Sequence, residues 1–326
     1  MLGFVGAGGL GQELVISIRQ FASSEVFSII LVFIALVWLA DAMSAMLRRR
    51  VGNTSRPAPT KHTWWTTPHT LSVVGIFIVT VVSFFFIDWQ FEQWFKASSI
   101  RRTQEFLLGF MPPDLSMALW ERLAASTLET LSMAVAGTAL ACVFALLISY
   151  LMFVIQLKGS SLFLRAFIRA IHGIQIVLRS VPELVWAMLL IIVVGIGAFT
   201  GTLALLLSSL GVMSRLYSEC LENQDTRALD NLRANGTSAL VAPLWSTLIQ
   251  ARSQLLSYSL YRWEHNLRAA TLMGVVGAGG VGQELYLRLS VFQFDKVAAC
   301  IVVIVAMVAL ADSVSYFLRH QFAAQG

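Results

Sequence analysis

Long apolar runs recur along the chain, most of them closed by a basic or glycine-containing break. The first, residues 25–47, ends on Arg48, Arg49 and Arg50 and is long enough to cross a bilayer. A second run covers 71–87, a third 128–154, and a last one 296–318. The run 185–217 exceeds one ordinary span, and Gly195, Gly197 and Gly201 punctuate it, so two segments turning near Phe199 are expected. The stretch 161–180 differs. Arg165, Arg169, His172 and Arg179 recur at helical spacing on an otherwise apolar segment. This pattern fits an interfacial helix whose arginines reach headgroups, or a basic lining for an anion path.

One segment repeats. Residues 272–289 read LMGVVGAGGVGQELYLRL and residues 1–14 read MLGFVGAGGLGQEL. The match runs on without a gap, with Asp41 answering Asp312, Ser44 answering Ser315 and Arg48 answering Arg319. Gly277, Gly279, Gly280 and Gly282 form a loop that satisfies G-x-G-x-x-G. A dinucleotide site needs a second strand and an acidic residue about 20 positions on. Here that place holds the apolar run 297–310, so the loop is expected to be a tight turn between packed membrane helices.

Composition agrees. The 326 residues are 57% hydrophobic and 13% charged, against about 25% charged in soluble domains, and the mean hydropathy is +0.74. The net charge is +5, but the basic residues cluster in particular loops, so nucleic-acid binding is not implied. Cys142, Cys220 and Cys300 lack metal or disulfide spacing. Met1 opens inside a glycine loop, so no cleavable signal is expected. No G-x-x-x-x-G-K-[ST] occurs, which leaves the chain without a Walker-type ATP site.

The basic linker after Arg50, with Asn53, Ser55, Arg56, Pro57, Pro59 and Lys61, is expected to be cytoplasmic and irregular. The loop 88–122 carries Trp89, Trp94, Phe106 and Trp120, which fits short interfacial helices outside. Positive-inside counting and parity put Gln224 in the cytoplasm and Phe199 outside. They also make 249–271 a span, although YSLYRWEHNLR at 258–268 is too polar for hydropathy to mark it. A rival count keeps 185–217 as one tilted span and puts 219–236 outside.

Ionisable residues at membrane depth point to function. On a helix Tyr261, Glu264, His265 and Arg268 share a face, and Glu264 and Arg268, four apart, can pair. Arg262, Arg268, Asn266 and Tyr261 offer donors to a small oxyanion; the plain alternative is an ion pair that locks two helices. In RSVPELVW, Pro182 and Glu183 mark a helix break of the kind tolerated where backbone lines a cavity.

Three segments together, RSVPELVWA (179–187), LSYSLYRWEHNLRAA (256–270) and VGAGGVGQELY (276–286), resemble the permease subunit of phosphonate-type ABC importers. The resemblance covers about 127–322. It implies an all-α, polytopic protein of the bacterial inner membrane with about seven spans, of which the last six form an ABC importer permease core. It implies alternating access driven by a cytoplasmic ATPase dimer, a periplasmic substrate-binding protein, and a second permease copy, as a homodimer or with a paralogue. The cargo would be phosphonate, phosphite or a related phosphorus oxyanion. ATP would be used by the partner, with no cofactor or metal on this chain. The substrate pathway would hold Arg179, Pro182, Glu183, Tyr261, Arg262, Glu264, Asn266 and Arg268.

Family members contact the ATPase through a Glu-Ala-Ala-x-x-x-Gly loop. Here Asp230, Asn231 and Leu232 stand in that place, Gly236 matches, and Leu248-Ile249 replaces the usual Leu-Pro. The expected coupling helix runs from Glu222 to Ala234. The resulting organisation is 1–50 as a partial repeat of the last loop and span, 51–70 as a linker, 71–126 as a first core span with an external loop, and 127–322 as the permease core. The repeat reads as the tail of a preceding permease copy, dispensable for transport, or else as an extra span packed on the core. The alternatives for function are a permease of another ABC importer subclass, such as one for methionine, and a non-transporting scaffold.

Overall fold

The structure is a computed structural model of the chain, and it describes residues 9–20, 22–52, 68–86, 95–157 and 161–323. The linker 53–67, Trp89, Trp94 and the N-terminal glycine loop through Gly8 lie outside the described residues. Contacts divide the chain into one unit of residues 1–34 with 110–326 and another of residues 35–109.

The described residues form α1 (Leu10–Arg19), α2 (Ser23–Gly52), α3 (Pro68–Phe86), α4 (Ala97–Leu108), α5 (Met117–Leu157), α6 (Leu162–Ser180), α7 (Glu183–Val194), α8 (Ala198–Glu222), α9 (Arg227–Ala234), α10 (Ala242–Trp245), α11 (Thr247–Met273), α12 (Gly280–Ser290) and α13 (Phe294–Ala323). A short 3-10 turn, Gly274–Val276, joins α11 to the glycine loop. Helices α2, α5, α8 and α13 are long and apolar enough to cross a membrane, and the bent pair α6–α7 passes together as a broken span. Helix α3 has 19 residues, about 28 Å at 1.5 Å per residue. Helix α11 has 27 residues, enough to cross but too polar for hydropathy to detect. The all-α polytopic expectation holds.

The break between α6 and α7 is a 93° bend. Pro182 causes it: proline offers no N–H and its ring clashes with the preceding turn. Val181 before it is accordingly extended, at φ −85°, ψ 120°. Trp186 Nε1 donates to the Leu178 carbonyl at 3.2 Å across the bend. Helix α6 departs from the expected surface-lying helix. Arg165, Arg169 and His172 are exposed, but its C-terminal half packs closely on α8. A Cβ on Gly211 would fall 2.7 Å from Leu178 Cβ.

Small residues set the other close approaches, as usual where apolar lipid gives helices no hydrophobic reason to associate. Ala134, Ala141 and Ala145 of α5 are fully buried, and a Cβ on Gly137 would sit 2.9 Å from Leu205 Cβ of α8. Helix α5 is one piece of 41 residues that includes Trp120, where a separate interfacial helix was expected.

Two further expectations change. Helix α8 ends at Glu222 and α9 starts only at Arg227, so the coupling helix is shorter than 222–234. The N-terminal repeat does not lie apart from the core. Leu14 and Ile18 of α1 are buried in one apolar cluster with Val181 and Val185, joined by Val26, Ile29 and Phe33 of α2.

The junction of α11 and α12 allows a sharp stability test. A Cβ on Gly282 would lie 1.7 Å from the Thr271 carbonyl oxygen, which is backbone, whereas one on Gly173 meets nothing within 4 Å. Gly282→Ala should cost at least the ~1–3 kcal/mol typical of overpacking. Gly173→Ala should be neutral or stabilise by up to ~1 kcal/mol through helix propensity. Thermal unfolding in detergent micelles measures both, and equal melting temperatures for the two variants would refute the close crossing.

Candidate functional site

Helices α5, α7, α8 and α11 bring polar side chains together in an otherwise apolar interior. Glu183 is the first residue of α7, with Pro182 as its N-cap. A helix N-terminus leaves unsatisfied N–H groups and carries partial positive charge, so a carboxylate is favoured there. Glu183 Oε1 lies 3.2 Å from Arg262 Nη2 and 3.0 Å from His265 Nε2, both on α11. Arg262 also donates from Nε to Ser209 Oγ at 2.9 Å and from Nη2 to Ser208 Oγ at 3.0 Å. Asn266, one turn on, donates from Nδ2 to Ser209 Oγ and to Thr138 Oγ1 of α5, both at 2.8 Å. Asn266 is wholly buried, and Arg262, Glu183 and Ser208 are nearly so.

This arrangement spends two of the three donor nitrogens of the guanidinium. A guanidinium has five N–H donors, and Nη1, with two of them, has no protein partner among the described residues. One carboxylate faces one guanidinium, so the pair is neutral, and a protonated His265 would make the cluster positive. A neutral, hydrogen-bonded cluster with spare donors can accept a small oxyanion without itself leaving a charge unpaired.

The other expected pathway residues lie elsewhere. Glu264 and Arg268 do not pair along α11. Helix α13 takes both: Arg319 Nη2 meets Glu264 Oε1 at 2.7 Å, and Arg268 Nη1 meets Asp312 Oδ1 at 3.5 Å. The reason is geometric, since α13 packs alongside α11 and offers partners that need no bending of the side chains along one helix. These bridges hold the last span to the site helix. Tyr261 is 60% exposed, away from the cluster. Arg179 lines a separate cleft of about 290 Å³ with His172, Gln175, Arg215 and Glu219, between α6 and α8. Another cleft of about 330 Å³ between α5, α11 and α13 is lined mostly by apolar side chains such as Leu131 and Met307, with Thr127 and Trp263 among them, and no charged side chain lines it.

The glycine loop braces the site from one side. Gly277, Gly279 and Gly280 have φ of +97°, +90° and +75°, values that side-chain-bearing residues rarely adopt. The turn points the first N–H groups of α12 at α5. Gly280 N donates to Glu129 Oε2 at 2.8 Å, and Val281 N donates to Thr130 Oγ1 at 3.0 Å. A Cβ at Gly279 would come 2.6 Å from Glu129 Oε1, so the missing side chain is what admits the carboxylate. Gly197 N, at the α7–α8 turn, donates to the Gly277 carbonyl at 3.0 Å, tying the loop to the site helices.

Sequence reasoning missed Ser208, Ser209 and Thr138. The serine pair interrupts the apolar run of α8, in LALLLSSLG, and was a usable signal. Thr138 gave none, because a threonine in a membrane helix commonly bonds its own backbone, and its Oγ1 also donates to the Ala134 carbonyl at 2.6 Å.

At the expected coupling segment, α9 ends in a Schellman turn. Gly236 takes φ +84°, its N–H donates to Arg233 O at 3.0 Å, and Thr237 N donates to Leu232 O at 3.1 Å. Only Leu229 of α9 is buried. Asp230 and Ala234 are exposed on α9, as is Glu222 at the end of α8.

The Glu183–Arg262 pair predicts a non-additive pattern. Breaking a buried pair strands a charge and costs about 3–5 kcal/mol, whereas removing both members is far milder. Glu183→Gln alone should sharply lower the melting temperature in detergent, and Glu183→Gln with Arg262→Gln should recover most of it. Additive losses would show that the two side chains do not interact.

Residues 159–323 match the family described as binding-protein-dependent transport system inner membrane component. The phosphite transport system permease protein PtxC of Stutzerimonas stutzeri is 39% identical over 215 residues, covering 65% of this chain and 74% of that protein. The phosphate-import permease protein PhnE of Mycolicibacterium smegmatis is 26% identical over 343 residues, covering 98% of this chain and 58% of that protein. The inward-facing MetNI methionine ABC transporter is similar in fold, with a TM-score of 0.56 at 20% identity, over 64% of this chain and 99% of that one. The chain therefore belongs to the binding-protein-dependent transport system inner membrane component family, as a multi-pass permease of the phosphonate-type ABC importers.

Proposed function

We propose that this permease carries a phosphorus oxyanion, such as a phosphonate, phosphite or a phosphate ester, across the inner membrane. The observation that carries this reading is Arg262, a guanidinium buried at the break of a membrane helix, neutralised by Glu183 yet keeping the two N–H donors of Nη1 for an anion. Phosphite and phosphate transport in the names of the relatives supports the same cargo. A periplasmic binding protein delivers the substrate and supplies the affinity, so the site inside the membrane need bind only weakly. Two cytoplasmic ATPase subunits use the ATP.

Helix α8 is the mechanical link in this reading. Its cytoplasmic end, Glu222, lies a few residues from α9, and Ser208 and Ser209 lie 14 and 13 positions back, about 20 Å along the axis. Movement of α9 on ATPase closure would travel along α8 to the hydroxyls that hold Arg262. The permease core of this reading is 127–322, with Phe199 outside and Gln224 in the cytoplasm. The glycine loop at Gly277, Gly279, Gly280 and Gly282 acts as a brace and not as a nucleotide site.

Uptake of labelled phosphite and of a labelled phosphonate, in cells lacking other uptake systems, tests the cargo. Glu183→Gln with Arg262→Gln, which keeps the fold by the pair argument above, should lose more than about tenfold in uptake, because a hydrogen bond to a charged group is worth roughly 1.5–3 kcal/mol. Wild-type uptake in a well-folded double variant would leave the pair a structural lock only.

Coupling is tested at Gly236. A β-branched residue does not readily take its φ, so Gly236→Val should abolish stimulation of the ATPase while the spans stay folded. Full stimulation in that variant would remove α9 as the contact and favour a non-transporting scaffold.

A further inference from the structure

Three layers follow one another where α6 and α7 run beside α8. Glu183, Ser208 and Ser209 belong to the buried cluster around Arg262. Next comes a close crossing, where a Cβ on Gly211 would lie 2.7 Å from Arg179 N and from Leu178 Cβ. Beyond it, toward Glu222, the helices part around the cleft of about 290 Å³. The crossing therefore walls the cleft off from the Arg262 cluster. Gln175 and Ser218, at 4% and 5% exposure, form the cleft floor. Gln175 Oε1 lies 3.1 Å from His172 Nδ1. Its Nε2 meets only the Met152 thioether among the described residues, at 3.8 Å, and sulfur is a weak acceptor. A buried amide nitrogen held in that way would be better satisfied by an anionic oxygen.

Two guanidiniums, Arg179 and Arg215, line the same cleft. Its two carboxylates, Glu219 and Glu222, are exposed at the rim. Glu219 is held by Arg215 at 2.8 Å, and Glu222 accepts from Gln156 Nε2 at 3.0 Å. Nitrogen donors thus lie deeper than the carboxylates, which suits an anion. Arginine forks match the oxygens of a phosphate group. We propose that this cleft is a second oxyanion site, separate from the Arg262 cluster, that takes a tetrahedral phosphate-class group between Arg179 and Arg215. That group is either a free phosphorus oxyanion or the headgroup of an anionic phospholipid. Leu162, Phe163 and Phe167, exposed on α6, would lie along the acyl chains in the second case. The bound group ties α6 to α8 next to the bend at Pro182. It is held and not passed on, so a different cargo would leave the site intact.

The test uses the full-length permease with its ATPase subunits in detergent. Glu183→Gln with Arg262→Gln forms the parent background, so that the Arg262 cluster contributes no binding. Two probes are measured: radiolabelled inorganic phosphate by equilibrium binding, and short-chain phosphatidic acid by native mass spectrometry. At least one should bind saturably, and adding Arg179→Gln should weaken it at least about tenfold. Arg179→Lys, which keeps the charge and loses the fork, should bind at a strength between the two. Saturable phosphate binding assigns a free oxyanion, and phosphatidic acid binding alone assigns a lipid headgroup. Should Arg179→Gln fail to fold, Arg215→Gln, whose side chain is already 33% exposed, gives the same reading. The proposal is overturned if neither probe binds the parent, if chloride at equal concentration displaces both, or if a variant with the parent melting temperature binds as well as the parent. Loss of phosphite transport with this binding retained would bear on the cargo and not on the cleft.

Discussion

Everything around the site follows from placing one carboxylate and one guanidinium inside a membrane. Neither charge is tolerable there alone. Glu183 is therefore found where a helix begins, at the positive end of α7, and Arg262 is clasped by it and by two serines of α8. The proline that breaks α6 from α7 is what puts a helix N-terminus at that depth. Remove the break and the carboxylate loses the backbone dipole that favours it. The bend, the serine pair and the asparagine bridge to α5 are thus one solution to a desolvation problem.

The same logic orders the periphery. Glu129 of α5 faces the N–H groups of α12, another carboxylate at a helix N-terminus. Arg319 and Asp312 of α13 neutralise Glu264 and Arg268 of α11. Glu264 and Arg268 are met by α13, and Arg262 and His265 by Glu183 of α7, so α11 is held from two sides. Apolar packing between these helices is loosely specified, since lipid competes for the same surfaces. Charge pairs and alanine or glycine contacts supply the specificity that apolar packing lacks.

Sequence made the fold legible wherever one segment sufficed. Apolar runs gave the long apolar helices, the polar stretch 249–271 proved to be one helix, and Pro182 and the glycines gave the breaks. Pairing was where one-dimensional reasoning failed. Glu264 and Arg268 sit four apart, an arrangement that suits an isolated helix in water. In a bundle, a partner on an adjacent helix with better geometry wins. Glu183 and Arg262 are 79 residues apart, and no local pattern joins them. Ser208, Ser209 and Thr138 entered the cluster for the same reason. The helix expected over 222–234 was drawn too long, because the polar stretch after Glu222 carries no proline or glycine to show the chain leaving α8.

The repeat shows how a similar sequence acquires different burial from its surroundings. Helix α12 is braced by α5 through its N-terminal N–H groups, and its apolar side remains open. Helix α1 has a near-identical start, yet buries Val15 and Ile18 because α7 offers Val181 and Val185. Burial on α1 is thus a property of the neighbour and not of the helix. A bilayer would accept Leu289 at little cost, but Tyr286 beside it gains from a partner for its hydroxyl, and Glu284 and Arg288 on the same short helix pair with one another and so add no net charge there.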